Sequence, residues 1–515
     1  METRGAPPAS RDPRHPARIS RRDLLRGAVL AGCGAVLAAC GLGPSGSPGS
    51  RGPAGTTPAT GTPGRSATPA GPAPSGSADA TTPRSTFLEI VGRPTDRSAT
   101  VSLLPAHDGD VLVEHGTAPG AYTTQTTPIR ASAGVPVQIE ITGLAPDRRC
   151  YWRVRDGNGA GLERSFVTQR PAGSTFTFTL DSDPHNGDPN TSSALLEIAY
   201  ANAAADRPDF HVNLGDTFMT EKLQARTLDD VVGTYVDMRP HLAVVGGDAP
   251  LFLVNGNHEG ELGWLLDGTE RNLATWCTAT RRRHYPNPVP GGFYSGSSAV
   301  EPLVGVRDGY YAFTWGDALL VALDPYWYTR PKPGTVAGAC WGWTLGLEQH
   351  RWLRRTLEAS RAKHKLIFTH QLVGGRDKDG RGGIDAAQLY EWGGRDPDGT
   401  WAFDARRPGW GAPIHRLLVD NGVRAVFHGH DHVYVRQQLD GITYQECPQP
   451  SMARYDNTQM AADYGYTSGD VRGSSGHLRI TVSPATVRVD YVRAYLPADE
   501  RTGRRNGAVD ISYTI

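Results

Sequence analysis

The chain has 515 residues, too many for a single hydrophobic core, so we expect at least two domains. Lysine plus arginine and aspartate plus glutamate number 53 each, so the chain lacks the basic excess of proteins that bind polyanions. Its overall charge therefore gives no reason to expect nucleic-acid binding.

Residues 1–40 are predicted to be an export signal and not part of the fold. Residues 20–25, with their paired arginines, resemble a twin-arginine signal, and a weakly apolar run follows at 28–39. That run is too short to span a bilayer permanently. Residues 37–41 further resemble a lipobox, in which a lipid on Cys40 would anchor the protein to the membrane surface. The alternative is an ordinary secretory signal with an incidental cysteine. Both predict a protein outside the cytoplasm, held at the cell membrane or secreted.

Two segments of different composition follow the signal. Residues 41–84 are almost wholly Gly, Pro, Ser, Thr and Ala, which predicts a disordered linker. Residues 85–170 alternate short β-rich runs with turns, which predicts a small all-β sandwich of about seven strands. The predicted strands are 87–91, 99–104, 111–114, 137–141, 151–154 and 164–168.

One corner of the predicted sandwich resembles fibronectin type III modules. Residues 144–151 match the L-x-P-x-x-x-Y corner of that family, except that Cys150 stands where the tyrosine is expected. A thiol cannot reproduce the hydrogen bond of a phenol. Either Tyr151 takes the role or the corner is held differently.

Residues 171–515 alternate strands with helices, which predicts an α/β domain with helices on the sheet faces and functional groups at strand ends. Predicted strands lie at 175–180, 209–214, 251–254, 310–315, 318–323, 365–368 and 423–427, and predicted helices at 192–205, 228–238, 347–360 and around 414–421. Alternating strands at 478–495 would complete a second sheet.

Five stretches of this domain end an apolar run with side chains that bind metals. They place Asp183 with His185, then Asp216, then Asn257 with His258, then His370, and finally His430 with His432 just beyond strands. The final histidine pair alone would also suit a hydrogen-bonded turn. All five strand ends together predict a metal site, and their carboxylate, imidazole and amide donors suit Fe, Mn or Zn.

The order of these blocks resembles that of the calcineurin-like metallophosphoesterases, namely D-x-H, G-D, G-N-H-E, a lone histidine and G-H-x-H. Residues 429–436 are most similar to the G-H-x-H-x-Y-x-R form of purple acid phosphatases and their bacterial relatives. The resemblance implies two packed mixed sheets flanked by helices, and a pair of metal ions. It assigns Asp183, His185 and His432 to one ion, Asn257, His370 and His430 to the other, and Asp216 to both.

The resemblance also implies a reaction. Two metal ions that share one carboxylate activate water for attack on a phosphate ester. His258 would assist the leaving oxygen or stabilise charge on phosphorus, and a hydrogen bond to a loop carbonyl is its alternative role. The expected substrate is therefore a small-molecule phosphate ester.

One position departs from the purple enzymes. Their tyrosine ligand lies three residues after the bridging aspartate, where this chain has Met219. A thioether is a poor ligand for ferric iron, so we predict an enzyme without the purple colour. His185 would fill the vacant position, and Asp181 is a less well-spaced alternative to Asp183.

The remaining histidines, His211, His350 and His428, are predicted to have core or surface roles. The long connection at 261–302 is predicted to wall the substrate pocket, where an arginine of 281–283 would contact phosphate; a solvated charge run is equally compatible.

Four cysteines follow the predicted signal and linker, and export permits disulfides between them. Of the three possible pairings, we favour the one that joins Cys277 to Cys340.

Three functions remain open on the sequence. The leading one is an extracytoplasmic dimetal phosphomonoesterase, similar to acid phosphatases. A phosphodiesterase or nucleotidase would use the same site, and a catalytically vestigial surface-binding protein would retain the fold alone.

Overall fold

The computed structural model describes residues 87–334 and 338–515. The predicted signal at 1–40 and the predicted linker at 41–84 lie outside the described residues. Within the described residues, no helix combines the length and the apolar character needed to cross a membrane.

The N-terminal region contains a strand at each of the six predicted positions. Its strands are β1 Ile90–Gly92, β2 Ala99–Leu103, β3 Gly109–Gly116, β4 Thr124–Gln125, β5 Ile129–Ala131, β6 Val137–Ile141, β7 Arg149–Asp156, β8 Gly159–Ala160 and β9 Arg164–Val167. β3 to β5 and β7 to β9 form one sheet, which packs on β1, β2 and β6 around the buried side chain of Trp152. This region is a small β-rich unit.

The corner of this unit is held differently from the fibronectin pattern. The Thr168 hydroxyl donates to the carbonyl of Ala145 at 2.8 Å and accepts from the Arg148 amide at 3.0 Å. The thiol of Cys150 is buried and Tyr151 is half-buried. A threonine from the following strand therefore makes the hydrogen bonds that tie this corner.

The rest of the chain alternates strands and helices. The strands are β10 Phe176–Asp181, β11 His211–Asn213, β12 Leu251–Leu253, β13 Ser295–Gly296, β14 Val300–Glu301, β15 Gly305–Val306, β16 Tyr311–Trp315, β17 Ala318–Ala322, β18 His364–Phe368, β19 Ala425–His428, β20 Tyr434–Leu439, β21 Ile442–Glu446, β22 Asp470–Arg472, β23 Gly476–Val482, β24 Val487–Arg493 and β25 Val509–Thr514. The helices are α1 Ser193–Ala205, α2 Leu228–Gly246, α3 Leu273–His284, α4 Gly346–Ala359, α5 Ile384–Ala387, α6 Tyr390–Gly393, α7 Phe403–Arg406, α8 Ile414–Asp420 and α9 Gln459–Asp463.

Two large mixed sheets pack face to face, as predicted. One has the order β25-β24-β23-β10-β11-β12-β1-β2-β6, and the other β13-β16-β17-β18-β19-β21-β20-β22. Aromatic rings fill the space between them; Phe178 stacks on Phe210 at 5.0 Å, and Phe252 on Phe313 at 4.6 Å between ring centroids. The central strands of both sheets are parallel and buried on both faces, which explains their continuous apolar runs.

Helices cover the outer faces of both sheets. α1, α2 and α3 pack with the first sheet, and α4, α6 and α8 with the second. α1 begins where the Ser192 side chain accepts from the Leu195 amide at 3.3 Å, so a serine N-cap marks its start. α2 continues past the predicted end at 238 to Gly246, and Pro240 lies in its interior.

A buried arginine joins these layers to the N-terminal strands. The Arg239 guanidinium on α2 donates to the carbonyls of Leu88, Ser102 and His284 at 2.8, 2.6 and 2.7 Å. Burial lowers its pKa to about 10. β1 also pairs in parallel with β12, so the first sheet runs from the α/β region into the N-terminal strands.

One prediction about this part of the fold was wrong, and one helix was not predicted. The strands at 478–495 do not complete the second sheet; β23 pairs antiparallel with β10 in the first. The 261–302 connection contains α3, whose start is marked by an Asn272 side chain that accepts from the Thr275 amide at 3.0 Å. The apolar spacing of Leu273, Trp276 and Cys277 covers only its first turns, so the N-cap was the other available signal.

The predicted disulfide was also wrong. All four cysteines of the described residues are free and buried. The Cys277 thiol contacts the Thr220 hydroxyl at 3.3 Å, and the Cys340 thiol contacts the Asp377 carbonyl at 3.2 Å. The two residues pack in different hydrophobic clusters, on the outer sides of the two sheets.

Candidate metal centre

The seven predicted metal ligands meet at one edge of the paired sheets. Parallel strands end at the same edge, and the loops after β10, β11, β12, β18 and β19 all reach it. These loops carry Asp183, His185, Asp216, Asn257, His370, His430 and His432.

Their donor atoms form two sets that share one carboxylate. In the first set, Asp183 Oδ1 lies 3.5 Å from His185 Nε2 and 3.4 Å from His432 Nε2. In the second set, His370 Nε2 lies 3.1 Å from Asn257 Oδ1 and 3.2 Å from His430 Nδ1.

Asp216 lies between the two sets. Its Oδ2 atom is 3.2 Å from His185 Nε2 and 3.3 Å from His370 Nε2. Three groups with metal-binding geometry therefore adjoin one another: Asp183 with His185 and His432, Asp216 with His370 and His430, and His185 with Asp216 and His258.

Outer hydrogen bonds fix which imidazole nitrogen faces the site. His185 Nδ1 lies 3.0 Å from Asp188 Oδ2, His370 Nδ1 lies 3.0 Å from the Leu214 carbonyl, and His430 Nε2 lies 2.8 Å from the Asp379 carbonyl. When the ring is neutral, the nitrogen in each of these contacts carries the N–H and donates it to the outer oxygen. The other ring nitrogen then presents a lone pair to the site.

The protonation of these groups also suits a cation. Burial alone would raise the pKa of Asp183 and of Asp216, but the nearby His370 holds both well below the usual range. Burial lowers the pKa of His430 to about 3 and also lowers that of His432. The carboxylates are thus ionised and the His430 and His432 rings neutral, which are the forms that bind metals. Despite burial, the neighbouring carboxylates raise the pKa of His370 to about 9 and hold that of His185 well above its usual value, so each of these two rings would release a proton when a metal binds.

The Oδ1 atom of Asp183 indicates that the residues of this centre fit a bound cation. Asp183 is fully buried; its Oδ2 accepts from the His430 amide at 2.8 Å, but its Oδ1 has no hydrogen-bond partner among the described residues. An ionised oxygen buried without a donor is costly, and a metal ion would satisfy it.

The backbone at this centre is constrained. Asp183, His185, Asp216, His430 and His432 all have positive φ, between 42° and 82°. Such conformations cost roughly 1–3 kcal/mol each and persist where surrounding contacts impose them. At Gly429 a Cβ atom would lie 1.8 Å from Ser182 Oγ, so the G-H-x-H turn requires glycine there.

Glu259 is a buried residue that holds two of the ligand loops. Its Oε2 accepts from the amides of Asp216 and Gly256 at 3.0 and 2.5 Å, and its Oε1 accepts from the Thr217 amide at 2.5 Å. Burial, together with the charge of Asp216, raises the pKa of Glu259 to about 7. The sequence analysis gave it no role, although it belongs to the G-N-H-E block.

His258 lies beside the shared carboxylate. Its Nε2 is 3.8 Å from Asp216 Oδ2, its Nδ1 is 3.2 Å from Glu221 Oε2, and its backbone amide donates to Asp216 Oδ1 at 2.8 Å. The ring thus contacts a carboxylate and not the loop carbonyl of the alternative interpretation. Glu221 lies in a short 3-10 turn, Thr220–Lys222, and no sequence motif indicated its role.

Asp181, the alternative to Asp183, is occupied elsewhere. It accepts from Asn213 Nδ2 at 3.1 Å and contacts His211 Nε2 at 2.8 Å inside the first sheet. The same contact confirms the core role predicted for His211. His350, against the Ala412 carbonyl, and His428, against Glu446, are also buried.

The arginines at 281–283 do not contact the metal centre, so the phosphate-contact prediction was wrong. Arg281 is buried in a network with Glu261 at 2.5 Å and Asp308 at 2.9 Å, and Arg282 joins Asp308 at 2.9 Å. Arg283 is exposed. The pattern of three consecutive arginines could not reveal partners that lie 20 or more residues away.

The metal centre opens into a cavity of about 300 Å³. Three cationic side chains line it: Lys222, which pairs with Asp188 at 2.9 Å, Lys332, and Arg381, whose guanidinium lies 4.4 Å from the ring centre of Tyr464. Trp343 provides an aromatic wall. Asp188 and Asp379 also line the cavity and pair with Lys222 and Arg381, so Lys332 is the lining cation that forms no ion pair within the described residues and can attract an anion toward metal ions.

Comparisons with known proteins agree with this geometry. The model of the calcineurin-like phosphoesterase family matches residues 176–434. The solved structure of PhoD aligns with a TM-score of 0.60 at 15% identity, over 83% of this chain and 89% of that one. Purple acid phosphatase PPD1 from yellow lupin (Lupinus luteus) seeds aligns with a TM-score of 0.55 at 14% identity, over 83% and 73%. At these identities both show a shared fold. No curated protein matches the chain in sequence.

Proposed function

The chain belongs to the calcineurin-like phosphoesterase family, and on that premise we propose that it is a dimetal phosphomonoesterase that acts outside the cytoplasm. That it hydrolyses phosphoric esters follows from the family. The observation that carries the proposal is the position of Asp216 Oδ2, which lies within 3.3 Å of a histidine from each ligand set. The two ions together with Lys332, which forms no ion pair within the described residues, would offset the two negative charges of a monoester phosphate.

We assign the metal ligands as the resemblance implies. Asp183, His185 and His432 would hold one ion, Asn257, His370 and His430 the other, and Asp216 both. The donor set suits Fe, Mn or Zn. When bound, two such ions supply acidified water and neutralise charge on the phosphate.

The chain's own residues then position the proton transfers. His258 Nε2 faces the shared carboxylate, so it is placed to donate a hydrogen bond or a proton to the ester oxygen that leaves. Glu221 accepts from Nδ1 and so holds the ring in this orientation. Lys332 and Arg381 orient the anionic substrate from the cavity wall.

The proposed enzyme does not have the purple colour. Asp181 is hydrogen-bonded inside the first sheet, and Met219 stands where the purple enzymes carry their tyrosine ligand. We expect iron-loaded protein to lack the visible absorption band of a tyrosine bound to ferric iron. A visible spectrum of the iron-loaded enzyme checks this.

The proposal also covers location. The twin-arginine pattern would export the folded, metal-loaded enzyme, a lipid on Cys40 would hold it at the membrane surface, and residues 41–84 would act as a tether. Residues 85–170, the fibronectin type III-like region, would serve a packing role, since β1, β2 and β6 continue the first sheet. Changing Arg21 and Arg22 to lysine should block export of active enzyme; unchanged export would contradict this route.

The decisive experiment is metal reconstitution followed by a substrate panel. Purified chain loaded with Fe, Mn or Zn should hydrolyse p-nitrophenyl phosphate faster than bis(p-nitrophenyl) phosphate, and Asp216→Asn should be inactive on both. Faster hydrolysis of the diester would replace the monoesterase with a phosphodiesterase. Inactivity of fully loaded protein on every ester would favour a vestigial surface-binding protein.

A further inference from the structure

A second cavity adjoins the metal centre on the side of His185 and His432. Its volume is about 320 Å³, and it shares His185, Asp188, His432 and Tyr464 with the first. Its other walls come from the segment that follows β21 and from α9. No step of the proposed hydrolysis uses these walls.

The wall of this cavity is fastened to the loop that carries His185. The Ser192 amide donates to the Ser451 carbonyl at 2.9 Å, and the Ala453 amide donates to the Asn190 carbonyl at 3.1 Å. The Ser451 hydroxyl donates to the Pro184 carbonyl at 2.5 Å. The wall is therefore separated from the His185 loop by single hydrogen bonds. A ligand bound in the cavity would lie at a fixed distance from the metal centre.

A second part of the wall is hydrogen-bonded to the loop that carries His432. Asn457 Nδ2 donates to the His432 carbonyl at 2.7 Å, and the Ser474 hydroxyl donates to the same carbonyl at 3.0 Å. Ser474 Oγ also accepts from the Gln449 backbone amide at 3.1 Å. Both parts of the wall thus belong to the rigid frame of the metal centre.

Gln449 provides a polar group without a partner in this cavity. Its side chain is 1% exposed and lines the cavity, and its Oε1 has no hydrogen-bond partner among the described residues. A buried acceptor without a donor costs free energy, which a ligand hydroxyl or amino group would recover.

A charge and an apolar surface complete the cavity. Arg454 is exposed at its rim and forms no ion pair within the described residues. Met452 and Met460 add thioether surface, which adapts to ligands of varied shape. The cavity thus offers a buried hydrogen-bond acceptor from Gln449, a flexible apolar wall from the two methionines, and a positive charge from Arg454 at its rim.

We propose that this second cavity binds the organic group of the substrate, and that the group carries a hydroxyl or amino donor for Gln449 and a negative charge for Arg454. The inference rests on the proposed function, since it assumes that the phosphate lies at the metal centre. Gln449 and Arg454 are then residues that determine specificity, and they take no part in the chemical step. The preferred substrate class is a phosphate ester of a small hydroxy acid or similar polar anion.

Three phosphate esters test the proposed contacts of Gln449 and Arg454 one at a time. Ethyl phosphate has neither group, glycerol phosphate adds hydroxyls, and phosphoglycerate adds a hydroxyl and a carboxylate. In metal-loaded wild-type enzyme we expect kcat/KM to rise in that order. Arg454→Gln should lower kcat/KM for phosphoglycerate by about three- to tenfold and leave the other two within twofold. Gln449→Met should lower kcat/KM for glycerol phosphate and phosphoglycerate by a similar factor and spare ethyl phosphate.

The losses should appear in KM, with kcat and metal content unchanged. Arg361→Gln is the matched control, because Arg361 is also exposed and forms no ion pair within the described residues, but lines a different surface cleft. Equal effects on all three esters, or no effect on any, would overturn the inference while the phosphoesterase stands. A fully loaded wild type that hydrolyses none of them, nor p-nitrophenyl phosphate, would instead overturn the proposed function.

Discussion

Replacement of His258 by asparagine tests the assignment of a proton-transfer group to this site. The backbone amide of His258 donates to Asp216 Oδ1 at 2.8 Å, and this bond does not depend on the side chain. The ring itself lies 3.8 Å from Asp216 Oδ2 and outside the two proposed ligand sets. We therefore expect His258→Asn to keep two metal ions per chain.

Turnover, in contrast, should fall steeply. A positioned acid or base contributes about 10²- to 10⁴-fold, which corresponds to roughly 3–5 kcal/mol of transition-state stabilisation. Glu221 acts through the 3.2 Å contact with Nδ1, so Glu221→Gln should cost less, about tenfold. The double variant should then be no slower than His258→Asn alone, since the carboxylate has no ring left to orient.

The assay is kcat on p-nitrophenyl phosphate at saturating metal, with metal content measured on the same samples. If His258→Asn lost one ion per chain, the residue would be a ligand, and if kcat stayed within threefold of wild type it would have no part in the reaction. Additive losses in the double variant would show that Glu221 acts independently of the ring.

Three further predictions concern the ligands and the stability of the fold. Asp216→Asn should lose both metal ions and Asp183→Asn about one, as metal analysis would show; two retained ions in Asp216→Asn would contradict a shared carboxylate. Arg281→Met should lower the free energy of unfolding in urea by about 3–5 kcal/mol, because the buried Glu261 and Asp308 each lose one of their two arginine partners. The exposed Arg283→Met on the same helix should stay within about 0.5 kcal/mol; equal effects would refute the buried network. Burial lowers the pKa of His350 from 6.5 to about 4, so the unfolded chain takes up its proton first as the pH falls. Stability should decline between pH 6.5 and 4 by on the order of 2–3 kcal/mol, and His350→Gln should flatten this decline; parallel pH curves for both proteins would contradict it.

The sequence could predict much of this centre because each ligand follows a strand. A buried strand forms a continuous apolar run, its end is marked by a polar residue, and parallel strands bring their ends together. Asp183, Asp216 and His370 are each found by that reasoning. The family pattern supplied the division of these side chains between two ions, including the place of Asn257, whose amide is a weak signal by itself.

The residues that sequence analysis missed act across loops. Glu221 and Glu259 hold their partners through contacts that only the folded chain creates, and no local spacing announces them. The same holds for Arg281, whose pattern of neighbouring charges suggested solvent or substrate, while its partners at 261 and 308 were distant in sequence. The Cys277–Cys340 pairing was wrong for a similar reason, since each thiol packs in a separate hydrophobic layer.

The buried arginine of α2 has a consequence for any attempt to shorten this protein. A fragment that starts at residue 171 would lack the carbonyls of Leu88 and Ser102, which would leave the Arg239 guanidinium short of two acceptors and the edge of β12 without its neighbour. Such a fragment should aggregate on expression, and a protease that nicks the chain after β9 should yield two pieces that still co-elute. The N-terminal strands are thus a structural part of the hydrolase. We expect that their removal, by gene truncation or by exchange for another module, would unfold the α/β region.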